Sequence, residues 1–236
     1  MRIHHPDFAR VRAISFDLDD TLWPVQPVLI AAETAVYARI QDRFSAVSDA
    51  LDFEALRARR MAFFQAQPAL HHDLTRLRRV FFEDLLSSFG YREGSESLLE
   101  EFLALRNAVT PYPGCDAFLD ALAARYPLVA CTNGNADVFR TPLAPYFSAA
   151  VRSEEAGAAK PDARIFRQTC EAVSVRAAEL AHVGDNPVTD VIGSQQFGCH
   201  GVWYNPDRLD WAHPTAPPPH ADVDSYDSLA ALFPAS

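Results

Sequence analysis

Short apolar runs alternate with helical patterns over much of the chain. The runs that we predict to be strands lie at 13–16, 128–131, 149–152, 181–183, 201–204 and 221–223. Segments with the apolar spacing of a helix lie at 138–146, 163–173, 187–197 and 228–233. Strands and helices that alternate in this way are typical of a parallel sheet with helices on both faces. The pattern therefore predicts an α/β fold with a doubly wound parallel sheet.

A long helical segment separates the first predicted strand from the second. A βα connection usually has about 2 to 6 residues besides its helix, whereas here the gap extends from 17 to 127. Four helical stripes are predicted within it, at 29–44, 53–63, 74–89 and from Ser97 onwards, where Ser97 and Glu100 have the spacing of a capping box. We therefore expect an inserted α-helical domain, which can act as a lid over a site on the sheet.

The composition is that of an ordinary globular protein, with 49% hydrophobic and 22% charged residues among 236. No apolar run reaches the ~18 residues of a membrane span, and the N-terminus lacks the apolar core of a signal peptide, so we expect a cytoplasmic protein without a membrane partner. The net charge of -10 argues against a nucleic-acid partner. The four cysteines form no Cys-x-x-Cys pair and are expected to be reduced. Lys160 is the one lysine among 21 basic residues, which suggests a need for a compact ammonium group there.

Three acidic residues follow the first predicted strand: Asp17, Asp19 and Asp20. Parallel sheets bind ligands outside the carboxyl ends of their strands, where these carboxylates are expected to lie. Asp17 and Asp19 are two residues apart, so an extended backbone points both side chains the same way. Two carboxylates in one site are costly without a cation, and a hard cation such as Mg²⁺ prefers oxygen ligands. The stretch therefore suggests a magnesium ion and an anionic substrate.

Three further polar stretches are predicted at the same edge of the sheet. They contain Thr132 with Asn133, Lys160, and Asp185 with Asp190. Taken singly, they are typical of a turn, a surface lysine and helix caps. Together with Asp17 and Asp19 of the first stretch they provide four carboxylates, an ammonium group, a hydroxyl and turns rich in backbone amides. Four carboxylates cannot surround a phosphate unless a divalent cation bridges them, so the set favours metal-dependent phosphate chemistry.

The four stretches resemble the four motifs of the haloacid dehalogenase-like (HAD) superfamily, in the family's order. The matching segments are Asp17-Leu18-Asp19-Asp20-Thr21, Thr132-Asn133-Gly134, Lys160-Pro161, and Gly184-Asp185 with Asp190. The resemblance implies a Rossmann-like catalytic core at 1–23 and 110–236 and an α-helical cap domain at 24–109. The motif regions also resemble those of bacterial phosphatases that act on flavin mononucleotide and on the phosphorylated ribitylaminouracil precursor of riboflavin. That resemblance implies a phosphatase of riboflavin biosynthesis.

The resemblance to the superfamily also implies a role for each motif residue. Asp17 is the expected nucleophile, which forms an aspartyl-phosphate, and Asp19 is the expected general acid and base. The groups expected to hold the phosphoryl oxygens are those of Thr132, Lys160 and the backbone amide of Asn133. The expected magnesium ligands are Asp17, the main-chain carbonyl of Asp19, Asp185 and, directly or indirectly, Asp190.

Some other activities within the superfamily need different residues from those found here. Dehalogenases do not carry the carboxylate of Asp19 as a general acid, and phosphonate hydrolases need a lysine in the cap, where this sequence has none. A phosphatase for another nucleotide or sugar phosphate stays open, as does a phosphomutase; a catalytically silent phosphate-binding module is less favoured because every motif position is filled. We expect a small phosphate monoester as the partner and a monomer or homodimer as the assembly. In the cap, His72 and Arg76 are the candidates for contacting the substrate, beside aromatic residues that suit a ring bearing a polyol phosphate.

Overall fold

The computed structural model of the chain describes residues 1–4 and 8–233, which fall into two compact units. The first unit consists of Met1–Pro24 and Thr110–Ser236, and the second of Val25–Val109. Within the described residues, none of the helices is both long enough and apolar enough to cross a membrane. The four cysteines are buried and free.

A seven-stranded sheet forms the centre of the first unit, counted over the described residues. Its strands are β1 (Arg2–Ile3), β2 (Ala13–Phe16), β3 (Leu128–Thr132), β4 (Ala149–Arg152), β5 (Leu180–Gly184), β6 (His200–Tyr204) and β7 (Ala221–Val223). Their order across the sheet is β1-β7-β6-β5-β2-β3-β4, and every neighbouring pair is parallel except β1 with β7. Every residue of β2, β3, β5 and β6 is buried, as expected for short apolar strands covered on both faces. The predicted fold class is confirmed.

Strand β2 lies at the point where the chain changes direction across the sheet. Ile14 pairs with Leu128 of β3 on one side and with Ala181 of β5 on the other. From β3 the chain continues outward to β4, and from β5 it continues outward to β6 and β7. The loops that leave β2, β3 and β5 therefore diverge around a crevice at their carboxyl ends, which is the position where open α/β sheets bind ligands.

The second unit is helical. It contains α1 (Val25–Arg43), α2 (Ser45–Ala50), α3 (Phe53–Gln65), α4 (Leu74–Ser88) and α5 (Ser95–Arg106). Apolar residues of α1, α4 and α5, such as Ile40, Phe81 and Phe102, pack into one core. Asp52 and Asp73 begin α3 and α4 by accepting the backbone N–H of the residue three positions later, each at 2.8 Å.

Among the residues that the structure describes, five more α-helices flank the strands of the first unit. They are α6 (Cys115–Ala123), α7 (Ser153–Ala156), α8 (Ala163–Ala172), α9 (Gly193–Phe197) and α10 (Tyr226–Ala231), and a π-helical turn at Pro187–Ile192 leads into α9. Asp162 begins α8 by accepting the backbone N–H of Arg164. That cap fixes the end of the loop that carries Lys160.

Four details of the sequence-based expectations are wrong or incomplete. The segment 138–146 is two 3₁₀ turns, Val138–Arg140 and Ala144–Tyr146, because Pro142 and Pro145 lack the N–H groups that a continuous helix needs. Helix α5 begins at Ser95, since Gly94 adopts φ 111° just before it, and the hydroxyl of Ser97 donates to Gly94 O instead of forming a capping box. Strand β1 and helix α2 were not anticipated, because two and six residues are too few to show a period.

Candidate active site

Asp17 lies directly after β2, at the carboxyl end of the sheet. Its backbone N–H donates to Val183 O at 2.8 Å, which continues the ladder between β2 and β5 by one residue. Its carboxylate Oδ1 lies 2.7 Å from Nζ of Lys160. Only 9% of the residue is exposed. A carboxylate held this firmly, with an ammonium group beside it, is placed to react with a ligand bound in the crevice.

The ammonium group of Lys160 joins the ends of β2 and β3 to the π-helical turn that follows β5. Its Nζ lies 2.7 Å from Asp17 Oδ1, from Asp190 Oδ1 and from the carbonyl oxygen of Cys131. Burial by itself would lower the pKa of Lys160, but the two carboxylates raise it above its ordinary value. Lys160 is therefore positively charged, even though it is buried and only 3% of its surface is exposed.

Asn133 fixes the backbone of Lys160. The backbone N–H of Lys160 donates to Oδ1 of Asn133 at 2.7 Å, and Nδ2 of Asn133 donates back to Lys160 O at 3.0 Å. The hydroxyl of Ser153 donates to Asn133 O at 3.1 Å. The side-chain amide of Asn133 thus bonds both the N–H and the C=O of Lys160, as the backbone of a neighbouring strand would. It joins the loop after β3 to the loop before α8.

Asp190 is buried and has partners on several sides. Besides Lys160, it lies 3.3 Å from Nε2 of His182 and accepts the backbone N–H of Asn186 at 3.0 Å. Burial by itself would raise the pKa of Asp190, but Lys160 and His182 lower it below the ordinary range. Gly184 makes room for it, because a Cβ there would lie 2.3 Å from Cγ of Asp190. Asp190 therefore remains ionised.

A buried polar chain continues from Asp190 into the sheet. Nδ1 of His182 lies 2.8 Å from the hydroxyl oxygen of Ser15, on the neighbouring strand β2. Burial lowers the pKa of His182, so the ring is neutral. A carboxylate can only accept, so we assign the ring proton to Nε2, which donates to Asp190, and Nδ1 accepts from Ser15. The chain Ser15, His182 and Asp190 orients the carboxylate toward Lys160.

Asp185 follows β5 and is held by the loop after β2. The hydroxyl of Thr21 donates to Asp185 Oδ1 at 3.2 Å, and the backbone N–H of Asp185 lies 3.1 Å from the same hydroxyl oxygen. The indole N–H of Trp203 donates to Asp185 O at 2.8 Å, and the hydroxyl of Tyr226 donates to Thr21 O at 2.8 Å. Residues far apart in sequence thus fix one carboxylate.

Asp19 has a hydrogen-bond partner that the other carboxylates do not share. Its Oδ1 accepts the indole N–H of Trp23 at 2.9 Å, and Trp23 itself is fully buried. Asp17 and Asp19 therefore have different environments although they are two residues apart. This difference suits two different chemical roles.

The carboxylates of Asp17, Asp185 and Asp190 form a group that fits a metal ion, because one oxygen from each lies within 4.8 Å of the others. Burial raises the pKa of Asp17 to about 8, against the opposing effect of Lys160, and burial together with the charge of Asp190 raises that of Asp185 to about 6. Ionised carboxylates in such a place gain from a divalent cation, and an all-oxygen donor set suits Mg²⁺. The side chain of Asp19 does not belong to this group.

The hydroxyl of Thr132 lies at the end of β3. Its Oγ1 accepts the backbone N–H of Gly134 at 2.9 Å, which leaves the hydroxyl proton available to a ligand oxygen. The same N–H shapes the turn that follows the strand. Thr132 is buried, with 1% of its surface exposed.

The structure brings together most, but not all, of the residues that the sequence singles out. Those of the first unit that share one polar network are Asp17, Asn133, Lys160, Asp185 and Asp190. Thr132 ends the strand beside β2, and Asp19 lies two residues after Asp17. His72 and Arg76 belong to the second unit, where His72 is half-buried and Arg76 is exposed. Their contact with a substrate stays a prediction.

Several residues of the network were missed by sequence reasoning. They are Ser15, Trp23, His182, Trp203 and Tyr226. A serine and a histidine inside two otherwise apolar strands were a usable signal, because a buried polar group needs a partner. The sequence gave no such signal for the two tryptophans and the tyrosine. Their partners lie on loops, and only the folded structure brings those loops close to them.

The basic residues near the start of α4 have different surroundings. Asp73 caps α4, and Arg79 pairs with Glu96 of α5 at 3.1 Å. Arg78 is buried, with its guanidinium 3.5 Å from the ring centroid of Phe102. Helical geometry separates these arginines because consecutive residues point about 100° apart.

Comparison with known proteins agrees with this arrangement. A family model described as haloacid dehalogenase-like hydrolase matches residues 11–198. The 5-amino-6-(5-phospho-D-ribitylamino)uracil phosphatase YigB of Escherichia coli strain K12 is 30% identical, over 99% of this chain and 100% of that protein. The phosphoserine phosphatase of Thermus thermophilus is 39% identical over 53% of each chain.

Solved structures show the same fold. A structure named 2-haloacid dehalogenase, from Pseudomonas syringae pv. Tomato DC3000, has a TM-score of 0.86 and 32% identity, over 94% of this chain and 98% of that chain. A HAD phosphatase from Thermococcus onnurineus has a TM-score of 0.69 at 22% identity, over 94% and 98% of the two chains, and supports the fold alone.

Proposed function

Since this chain belongs to the haloacid dehalogenase-like hydrolases, and within them is a hydrolase of phosphoric monoesters, we propose that Asp17 is its nucleophile and Asp19 its general acid and base. The expected membership of the superfamily is confirmed by the family model that matches residues 11–198. The observation that supports the two roles is the different placement of the two carboxylates. Asp17 contacts Lys160 at 2.7 Å and Asp19 accepts from Trp23 at 2.9 Å.

The proposed reaction has two steps. In the first, a carboxylate oxygen of Asp17 attacks phosphorus, the bond from phosphorus to the ester oxygen breaks, and Asp19 gives its proton to the departing alcohol. In the second, Asp19 takes a proton from water as the water oxygen attacks phosphorus, and the bond from phosphorus to the carboxylate oxygen of Asp17 breaks. Inorganic phosphate leaves, and both carboxylates return to their starting states.

The phosphoryl oxygens need positive charge and hydrogen-bond donors. We propose that they are held by the hydroxyl of Thr132, the backbone N–H of Asn133 and the ammonium group of Lys160. The contact of 2.7 Å between Lys160 and Asp17 supports this, because it places an ammonium group beside the proposed nucleophile. Asn133 would contribute twice, since its side chain also fixes the backbone of Lys160.

Magnesium is the proposed cofactor, with Asp17, Asp185 and Asp190 as side-chain ligands and the main-chain carbonyl of Asp19 as a further one. The support is that the three carboxylates offer hard oxygen donors, with one oxygen of each within 4.8 Å of the others. When bound, Mg²⁺ would neutralise charge on the transferred phosphoryl group. In its absence, Lys160 is the cation that holds Asp17 and Asp190 together.

For the substrate, we propose a small phosphate monoester that is flavin-related, either flavin mononucleotide or a riboflavin-pathway intermediate. The support is the full-length similarity to the Escherichia coli phosphatase of that pathway, at 30% identity. His72 and Arg76 are the proposed contacts in the helical unit. A preference for another nucleotide or for a sugar phosphate would keep the mechanism and change the substrate.

Dehalogenation is the second candidate, because a structure named 2-haloacid dehalogenase is 32% identical to this chain. Both reactions can begin with attack by a carboxylate. They differ at the leaving group, since an alkoxide needs a proton and a halide does not. A general acid such as Asp19 and a site for a divalent cation are therefore useful for a phosphate ester and superfluous for a haloacid.

The test is release of inorganic phosphate with and without magnesium, from flavin mononucleotide, nucleoside monophosphates, sugar phosphates and p-nitrophenyl phosphate. Asp17→Asn is expected to be folded and inactive. Asp116→Asn, which changes an exposed carboxylate of the same unit, is the matched control and is expected to be active. Magnesium-independent halide release from 2-chloropropionate, with no phosphate release from any ester, would refute the proposal in favour of dehalogenation.

A further inference from the structure

Three arginines of the helical unit converge on one buried carboxylate. Nε of Arg57, on α3, donates to Oε2 of Glu33, on α1, at 3.0 Å. Nη2 of Arg60 lies 2.9 Å from Oε1 of Glu33, and Nη2 of Arg78, on α4, lies 3.7 Å from the same oxygen. We call Glu33, Arg57, Arg60 and Arg78 the arginine cluster. Glu33 and Arg78 are buried.

The arginine cluster has more positive than negative charge. Within the described chain, the other carboxylate that lies within ion-pair distance of its arginines is that of Glu54, which is 3.5 Å from Arg57 and 75% exposed. Burial and the charge of Arg60 lower the pKa of Arg78 to about 9, and burial lowers that of Arg60. Buried charges are normally matched by partners of opposite sign. One buried carboxylate and one exposed carboxylate leave the three guanidinium groups with a surplus of positive charge.

The arginine cluster also has an unused donor. Nε of Arg60 is buried and has no hydrogen-bond partner in the part of the chain that the structure describes. Arg78 stacks on Phe102, 3.5 Å from the ring centroid, which covers one face of the guanidinium. Its N–H donors lie in the plane of the group, so stacking leaves them available to a ligand.

A cavity of about 20 Å³ adjoins these groups. Its lining includes the arginine cluster and apolar side chains such as those of Val36 and Phe81. That volume suits one water molecule or one monatomic ion. It excludes a phosphate or any larger organic anion.

We propose that the arginine cluster binds one chloride-sized anion. Such an ion would supply the counter-charge that Arg60 and Arg78 lack, and it would accept the N–H of Arg60 that has no partner in the described chain. A water molecule would accept the same N–H but leave the charge surplus in place. The site contains none of the residues of the proposed reaction, so it does not depend on the proposed function.

Bromide diffraction tests the site directly, because bromide replaces chloride and scatters anomalously. Crystals of the full chain soaked in bromide are expected to show an anomalous peak in contact with the guanidinium groups of Arg60 and Arg78. Crystals that contain ordered bromide elsewhere but none at the arginine cluster would overturn the proposal.

Thermal unfolding gives a reading in solution. Chloride replaces gluconate stepwise at constant ionic strength, and the unfolding temperature is expected to rise as the chloride concentration increases. The reason is that a ligand that binds only the folded state stabilises that state. Arg60→Gln is expected to abolish this rise. Arg59→Gln is the matched control on the same helix, because Arg59 pairs with the exposed Asp84 at 3.0 Å, and it is expected to keep the rise. A full chloride effect in Arg60→Gln contradicts the assignment.

Glu33→Gln keeps the test decisive if Arg60→Gln does not fold. Removing the one buried carboxylate of the arginine cluster increases the local positive charge, so chloride is expected to bind more tightly and to act at lower concentration. A chloride dependence that is unchanged or weaker in Glu33→Gln would overturn the proposal as well.

Discussion

Lys160→Met removes the ammonium group that links the ends of β2 and β3 to the π-helical turn after β5. In the native protein, Nζ lies 2.7 Å from the carboxylates of Asp17 and Asp190 and from the carbonyl oxygen of Cys131. Methionine has a similar length and no charge, so the variant fills the space of Lys160 without a donor. Two buried carboxylates then face each other, and a carbonyl loses a partner.

The size of the effect follows from these contacts. Breaking a buried ion pair by removing one partner costs about 3 to 5 kcal/mol, and leaving a buried carbonyl without its donor adds about 1 kcal/mol. We therefore expect the variant to lose about 4 to 6 kcal/mol, a large part of a typical stability of about 5 to 15 kcal/mol, and to unfold at a lower urea concentration. Magnesium at about 100 times its Kd stabilises a protein by about 2.7 kcal/mol. The variant should gain more than the native protein, because its site has one more uncompensated negative charge.

Urea unfolding in EDTA and in magnesium measures both effects, with the slope m checked for two-state behaviour. Arg164→Met is the control, since it removes an exposed ion pair with Asp162 in the same loop and helix, and it should leave the midpoint unchanged. A loss for Lys160→Met in EDTA of less than about 1 kcal/mol would show that Lys160 does not neutralise the two carboxylates.

Three further predictions test neighbouring parts of the first unit. Trp23→Phe removes the indole N–H that donates to Asp19, so kcat should fall by about 10-fold at constant KM. Steady-state kinetics measure both constants, and a change in KM alone would contradict a role of Trp23 in orienting Asp19. Gly184→Ala places a Cβ 2.3 Å from Cγ of Asp190, so half-maximal activity should need more magnesium, and a magnesium titration identical to that of the native enzyme would be contrary evidence. The four cysteines are buried, and burial raises the pKa of Cys131 to about 11, so Ellman's reagent should react with them only in denaturant; fast labelling of the native protein would contradict their burial.

Most strands were predictable because each is a short apolar run bounded at both ends by polar or turn-forming residues. The run at 13–16 matches β2, and the later runs agree with their strands within one residue at each end. Six of the seven strands come from such runs, and parallel pairing follows from the helices between them. Strand β1 has only two residues and pairs antiparallel with β7, so its existence depends on a neighbour more than 200 positions away.

The motif residues were predictable for a related reason. Carboxyl ends of neighbouring parallel strands meet at one edge of the sheet, so polar residues that follow β2, β3 and β5 come together without knowledge of the loops. The partners of these residues were not predictable. Trp203 and Tyr226 donate to the main-chain oxygens of Asp185 and Thr21. Every residue has a main-chain oxygen, so the pattern of side chains along the sequence does not indicate which one a donor will meet.

The rarity of lysine in this chain finds a physical reason at position 160. Three oxygens, two from the ends of β2 and β3 and one from the π-helical turn after β5, lie at the same distance from one nitrogen atom. An ammonium group presents three donors from a single point, whereas a guanidinium spreads its donors along a planar fork. An arginine with the same backbone would reach past this point and satisfy oxygens on one side only. Arginine serves elsewhere in the chain, as in the arginine cluster, where guanidinium groups stack on aromatic rings and meet carboxylates edge-on. The geometry of the strand ends, and not the charge alone, therefore selects lysine here.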